Sequence, residues 1–542
     1  MSLSTFDLAV VIIYAIGIFG LAQYVSREKA GHQKDTSDYF LASKNLPWWA
    51  IGASLIAANI SAEQIVGMSG SGYAIGLAIA SYEWMAALTL LIVGKFFLPI
   101  FLNNHIYTMP QFLERRYGGL IRTLMAVFWL GLYVFVNLTS IIWLGSIAVT
   151  KVAGIDQNVA LVMLGAFALL YQIKGGLKAV ALTDIVQVTL LVLGGLVVAY
   201  LTLTQIGGGD LIAGFGKLTA AAPDHFHMIL KKGDPHYIDL PGLSVLIGGM
   251  WIANIAYWGF NQYIIQRALA AKSLAEAQKG VIFAAYLKLL MPLIIVLPGI
   301  AAVVLAPGLT KPDEAYPTMM RLLPPGLLGL VFAALVAAIV ASTASKINSI
   351  ATIFTLDVYA KRRGDRTRAE DDRSQSAAEE KHLVLVGRIT AVVAIIIAII
   401  MARPLVGSSE QAFQFIQEFT GFFTPGITVI FLAGLFWKRA NEAGAIVAAL
   451  TSVVLSTIMK YALPSAALPQ GVNDYLTPFI NRMGVVFVVS ALLCVIVSLA
   501  TPERADKDHI VTRDTSYRTS ANFNIGALGV VLILIALYAT WW

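Results

Sequence analysis

Charge is scarce in this chain and cysteine is nearly absent. Only 13% of its 542 residues are Asp, Glu, Lys or Arg, about half the share usual in soluble domains. That excludes a water-soluble multidomain enzyme of this length. Cys494 is the single cysteine, so no intrachain disulfide and no thiolate metal cluster can form. The opening Met1-Ser-Leu-Ser-Thr-Phe-Asp7 lacks the basic segment of a secretory signal peptide, and the first apolar run therefore reads as a permanent span. No nucleophile–base pattern announces an enzyme, and no cofactor motif survives inspection. Gly207–Lys217 is glycine-rich, but Leu218 stands where a phosphate loop needs Ser or Thr. Asp224-His225-Phe226-His227 reads as a solvated loop rather than a metal site. Asn137-Leu-Thr139 is a glycosylation sequon lying within an apolar run, where it is out of reach.

What is present is apolar. Hydrophobic residues make up 58% of the chain and mean hydropathy is +0.76. Uncharged runs such as Ile389–Ala402 point to lipid as the solvent. Runs of about 20 residues, the length that crosses a bilayer, fall near 5–25, 47–69, 75–102, 122–150, 157–173, 178–205, 243–266, 275–306, 326–359, 382–402, 411–436, 443–462, 475–500 and 523–542. The reading is an all-α polytopic membrane protein of about 14 transmembrane helices, with its termini on one side. The formal charge of +7 calls for no nucleic acid, because in such a protein position matters more than sum. Connectors after odd-numbered spans hold 25 of the 38 Lys and Arg. By the positive-inside rule they are cytoplasmic and both termini extracytoplasmic. The charge-dense stretch 360–381 belongs to this cytoplasmic set.

Two spans carry polar, breakable centres: Ser54–Gln64 and Gly248–Gly259. Both contain Ala-Asn-Ile, at 58–60 and 253–255, five spans apart. An odd separation makes the copies antiparallel in the membrane, as in a 5+5 inverted repeat with two discontinuous helices. The chain then divides into an accessory first span and connector (1–45), a first repeat (46–205), an extracytoplasmic loop (206–242), a second repeat (243–436) and accessory spans (437–542).

Ionisable groups at membrane depth are costly and mark pathways or sites. Here they are Glu63, Glu83, Asp184, Lys288, Lys346 and Glu418, with Gln64 and Gln417 beside two of them. Tyr82, Tyr257 and Trp258 add rings. Carboxylate, amide and ammonium groups beside aromatic faces suit a polyhydroxylated ligand, whose hydroxyls donate and accept and whose ring stacks. The competing reading makes them interhelical hydrogen-bond glue.

The same residues carry a family resemblance. Leu46-Pro-Trp-Trp-Ala50, Ser54–Gln64, Ser81-Tyr-Glu-Trp84, Gly259–Arg267, Ala271-Lys-Ser273 and Phe413–Gly421 resemble, in order, the sodium–glucose cotransporter branch of the sodium:solute symporter family. The resemblance runs from about residue 5 to the last span and implies a leucine-transporter-type core in a bacterial-type inner (plasma) membrane. It implies a small sugar, Na+ as coupling ion and the lipid bilayer as partners, with no obligate protein partner. It further implies sugar contacts from Asn59, Gln64, Glu83, Asn254, Lys288 and Gln417. Tyr257, supported by Trp258, would be the inner gate, and Met68, Tyr82 and Phe413 the outer one. Sodium would be held by the carbonyls of Ala57, Ile60 and Ala338 and by the Ser342 hydroxyl.

Three positions depart from the family pattern. Ala86 replaces a serine near the sugar, and Ala341 replaces the first of two sodium-ligating serines. Lys346 stands one helical turn beyond Ser342, where relatives have an apolar residue. Its expected partner is Asp184, on the ion's exit route, or failing that the sodium-site carbonyls. Three functions are compatible with this: sodium-coupled hexose symport, a sodium-independent or proton-coupled sugar transporter in which Lys346 substitutes for the ion, and a non-transporting sugar sensor.

Overall fold

The computed structural model describes residues 3–26, 46–106, 108–174, 177–359, 377–465, 468–502 and 515–542. The cytoplasmic connectors expected around 27–45 and 360–376 lie outside them. Among the described residues there is helix throughout and no strand, with a lone β-bridge between Leu46 and Ala271. Helix underlies every apolar run picked out above. In chain order the elements are α1 (Thr5–Ser26), α2 (Trp48–Asn59), α3 (Glu63–Ala74), α4 (Leu77–Asn103), α5 (Gly119–Ala153), α6 (Gln157–Lys174), α7 (Leu177–Gly207) and α8 (Leu211–Ala221). Then come α9 (Gly249–Phe260), α10 (Gln262–Leu269), α11 (Leu274–Leu305), α12 (Leu327–Tyr359), α13 (His382–Val406), α14 (Ala412–Thr420) and α15 (Thr424–Phe436). The last are α16 (Glu442–Tyr461), α17 (Phe479–Ala500) and α18 (Ala521–Trp541). Nine helices among the described residues are long and apolar enough to cross a membrane, or up to 11 if each bent pair is one span. Outward-facing Ile13, Leu170, Ile400, Leu499 and Ile525 are each more than half exposed, an apolar girdle that only lipid can cover.

Breaks occur where side chains take over from the backbone ladder. The α2 ladder ends with Ile60 N–H donating to Ile56 C=O at 2.8 Å. Ile60 is extended, with ψ 113°, and α3 leaves at 66°. Ser61 then acts as an N-cap: its Oγ accepts from Glu63 N–H and lies 3.2 Å from Gln64 Oε1. Ser61 thus caps a new helix start in the middle of a span, and its hydroxyl donates to the Gln64 side chain. The carbonyls of Ala57 to Ile60 lie past the last bond of the α2 ladder, among the terminal carbonyls that a helix leaves without a partner of its own.

The second break falls at the edges of its expected stretch, Gly248–Gly259, rather than at its centre. Ala253-Asn-Ile255 lies inside the unbroken α9, and the chain breaks instead at Gly248 and Asn261. Asn261 is extended, and its Oδ1 accepts from Tyr263 N–H at 3.1 Å and from Tyr133 O–H at 3.2 Å. A strong capping residue, not the repeated tripeptide, ends this helix. A third bend, of 45° between α14 and α15, had no counterpart in the sequence reading. Gly421 and Pro425 flank it.

The long α11 lies along both halves of the first broken span. Gly299 and Gly72 let the backbones touch: a Cβ on Gly299 would sit 2.1 Å from Ser69 O, and one on Gly72 2.9 Å from Val296 O. Small residues at crossings are how helices approach closely without a hydrophobic drive. This seam brings Lys288, midway along α11, against the break.

Candidate binding site

Asn59 is the last residue of α2, Glu83 stands in the first turn of the regular part of α4, and Lys288 is on α11. Their side chains meet. Lys288 Nζ lies 2.6 Å from Glu83 Oε2 and donates also to Asn59 Oδ1. Asn59 Nδ2 donates to Tyr257 O–H at 3.1 Å, and Lys288 Nζ lies 5.0 Å from the centre of the Trp258 ring. Lys288 and Glu83 are 1% and 3% exposed, so the pair is sealed from water. Two charges so placed persist because each answers the other and Asn59 takes a further ammonium proton.

Around this network is a cavity of about 70 Å³. Its walls include Asn59, Gln64, Glu83, Asn254, Lys288 and Gln417, all six of the residues expected to meet sugar hydroxyls. Met68, Tyr82, Phe413, Tyr257 and Trp258, the expected gates, line it too. Tyr82 and Phe413 meet edge to face at 5.1 Å and 89°, closing one side. Thr420 and Thr424, which flank the α14–α15 bend, also line the cavity and were missed in the sequence. Their hydroxyls and that of Tyr82 are buried without a hydrogen-bond partner, a surplus that a ligand rich in hydroxyls would use. The missed signal was Thr420-Gly-Phe-Phe-Thr-Pro425, a turn inside an apolar run. Ala86 presents its methyl to the same space.

Beyond Tyr257 lies a second cavity, of about 60 Å³, sharing Gln64, Tyr257, Gln417 and Thr420 with the first. Glu63, Asn137, Asn261, Tyr263 and Lys346 line it. Lys346 meets an acid that the sequence reading did not name as its partner. Its Nζ is 3.9 Å from Glu63 Oε2, because α12 points this side chain at the start of α3. The side chain of Asp184 lies outside the described residues. Ala57, Ile60, Ala338, Ala341 and Ser342 are all buried, and Ala341 offers only a methyl. Glu418 leaves the cavity altogether: Arg482 and, at 2.7 Å, Lys460 pair with it.

The pattern described as "Sodium:solute symporter family" matches residues 39–452. The chain belongs to that family. It is a transporter rather than an enzyme, and a multi-pass membrane protein. Among its relatives, a protein named sodium/glucose cotransporter from Vibrio parahaemolyticus is 48% identical, across 100% of this chain and 99% of that one. Sodium/myo-inositol cotransporter 2 of Bos taurus is 33% identical, across 83% of this chain and 69% of its own. The substrate-bound, outward-open structure of a Na+-coupled sialic acid symporter is 23% identical with a TM-score of 0.74, covering 92% of this chain and 98% of that one. Closed Mhp1, a nucleobase-cation-symport-1 family transporter, is 12% identical with a TM-score of 0.53, covering 90% and 100%. These two likenesses show a shared fold.

At one end of the molecule the segment joining α11 to α12 packs as a plug against α3. Asp313 there is 1% exposed, and its Oδ2 accepts from Ala412 N–H at 3.2 Å. Gly70 of α3 backs it so closely that a Cβ would meet Asp313 Oδ1 at 2.5 Å. Burial raises this carboxyl from 3.8 to about 7, against the pull of the Ala412 N–H and Lys311; Glu314, paired with Lys151 at 2.9 Å, pushes it further up. In water the group would titrate near its ordinary value, so the plugged arrangement holds the proton more tightly. Its advantage is complete below about pH 4 and is lost as pH rises through about 7. Acidification across that window should slow opening at this end by up to about tenfold per pH unit, and Asp313→Asn should flatten the dependence. The check is the rate at which a thiol reagent reaches Ser71→Cys in a Cys494→Ala background, with and without Asp313→Asn. Parallel pH profiles would remove Asp313 from the plug's control.

Proposed function

We propose that this symporter carries a hexose of the glucose or galactose type into the cell with Na+ by alternating access. The observation that carries the reading is the single cavity in which all six hydroxyl-suited side chains and all five gating rings or chains converge. Relatives named for glucose and for myo-inositol, both polyhydroxylated six-membered rings, support the substrate class. In this reading the Lys288–Glu83–Asn59 network exchanges its internal hydrogen bonds for sugar hydroxyls as the cavity widens. Tyr257 stacks beneath the ring. Sodium, held by the Ala57, Ile60 and Ala338 carbonyls and Ser342, bridges the first broken span to α12 and favours the outward-open arrangement, which then binds sugar more tightly. Breaks at Ile60–Ser61 and Asn261 are consistent with fourteen spans built on a 5+5 inverted repeat, spans 2–6 and 7–11. Loop charge supports cytoplasmic odd connectors and termini on the outside of a bacterial-type inner membrane.

The test is uptake of a sugar panel into proteoliposomes with and without an inward sodium gradient. Gln417→Ala is the informative variant, since it removes a cavity amide while Gln64→Ala would also disturb the Ser61 cap. A hydroxyl left without its partner costs about 1–3 kcal/mol, so sugar affinity should fall roughly ten- to hundredfold. Sodium-stimulated uptake of no sugar, or an unchanged isotherm for Gln417→Ala, would place the function elsewhere.

A further inference from the structure

Lys346 is held by three elements at once. It projects from α12 toward Glu63, at the start of α3, with its Nζ 3.9 Å from Oε2. The same ammonium lies 5.8 Å from the centre of the Tyr263 ring, on α10. Glu63 follows Ile60 by three residues, and its Oε1 is buried without a hydrogen-bond partner. Ser342 precedes Lys346 by one turn and shares its helix face. The pair therefore spans the interval between the first broken span and α12, the two elements between which sodium is placed above.

We propose that Lys346 is a tethered cation that competes with sodium: with Glu63 it fastens the break of the first broken span to α12, and thereby sets a low sodium affinity. The proposal rests on the sodium-coupled reading. Two features of one short stretch, Ala341-Ser-Thr-Ala-Ser-Lys346, push the same way. Ala341 removes an oxygen ligand and Lys346 adds a positive charge a turn away. In a water-poor interior two cations within a few ångströms repel far more strongly than in bulk water. Glu63, three residues after Ile60, is the carboxylate that the first broken span brings to α12, and the ammonium already answers its charge. A sodium ion arriving there finds fewer oxygens and a spent counter-charge. The ammonium meanwhile does part of the ion's work, holding α3 to α12 whether sodium is present or not.

The experiment is a titration of the purified full-length protein with radioactive sodium in the absence of sugar. Wild type is compared with Lys346→Met and with Lys346→Met combined with Ala341→Ser. The half-saturating sodium concentration should fall at least about tenfold in the first and further in the second. A tenfold change corresponds to only about 1.4 kcal/mol, well within what removing one nearby charge supplies. Lys346→Gln, which keeps a donor for Glu63 while discarding the charge, guards against misfolding of the methionine variant and should show the same fall. Half-saturation equal within about threefold in wild type and variants, or no sodium binding by any of them, overturns the proposal. Because sugar is absent from the titration, failure of the whole sugar panel would sink the substrate reading and leave this result standing.

Discussion

Lys288→Ala is expected to abolish sugar binding and to cost about 3–5 kcal/mol of stability, because it leaves Glu83 as a buried charge without its partner. The pair is 2.6 Å apart and both side chains are almost wholly enclosed, so water cannot replace the ammonium. Asn59 would lose a donor at the same time and, through it, the positioning of Tyr257. The double change Glu83→Gln with Lys288→Met removes both charges and should restore most of the stability while leaving sugar binding lost. Thermal unfolding in detergent, followed by tryptophan fluorescence, separates the two effects when run beside binding isotherms. If the single variant melts with wild type and binds sugar normally, the Lys288–Glu83 pair is not the centre of the site.

This expectation goes beyond what the sequence supports, and the reason is physical. That Lys288 and Glu83 are intramembrane ions is legible from their apolar surroundings, and both were singled out for that reason. Which ion answers which is set by helix rotation and crossing, here by glycines that let α11 ride on the first broken span. Sequence separation carries none of that: 205 residues lie between the two partners. The same gap hides the contact between Lys346 and Glu63. The apolar runs were readable because bilayer thickness imposes one length on every span. Breaks were readable only as polar stretches: Ser54–Gln64 contains its break, whereas Gly248–Gly259 is bounded by breaks at Gly248 and Asn261. The caps at Ser61 and Asn261 fix where the chain turns, and the Ala-Asn-Ile repeat marks one break and misses the other. Thr420 and Thr424 stayed hidden because a threonine in an apolar run usually bonds back to its own helix. Only the bend at Gly421 turns these two toward the cavity.

Tyr257→Ala should uncouple the two cavities' separation and so convert tight accumulation into leak. The ring stands between voids of about 70 and 60 Å³ and lines both. It is packed at 5.3 Å against Trp258, and its hydroxyl accepts from Asn59. Losing the stacking face costs about 1 kcal/mol and losing the hydrogen bond about another, together roughly a thirtyfold loss of sugar affinity. Tyr257→Phe keeps the partition and the stacking surface. It forfeits only the bond to Asn59, a loss of about fivefold. The two variants therefore differ in kind as well as in degree. Phenylalanine should still accumulate sugar against a gradient at raised substrate concentration. Alanine should show exchange of labelled for unlabelled sugar without net accumulation, since a gate that does not seal dissipates what the sodium gradient builds. Counterflow and gradient-driven uptake, measured on the same proteoliposomes, distinguish these outcomes. Equal behaviour of the alanine and phenylalanine variants would mean that the barrier between the cavities is made by the Ser61 turn and Gln64, and that Tyr257 merely packs beside it.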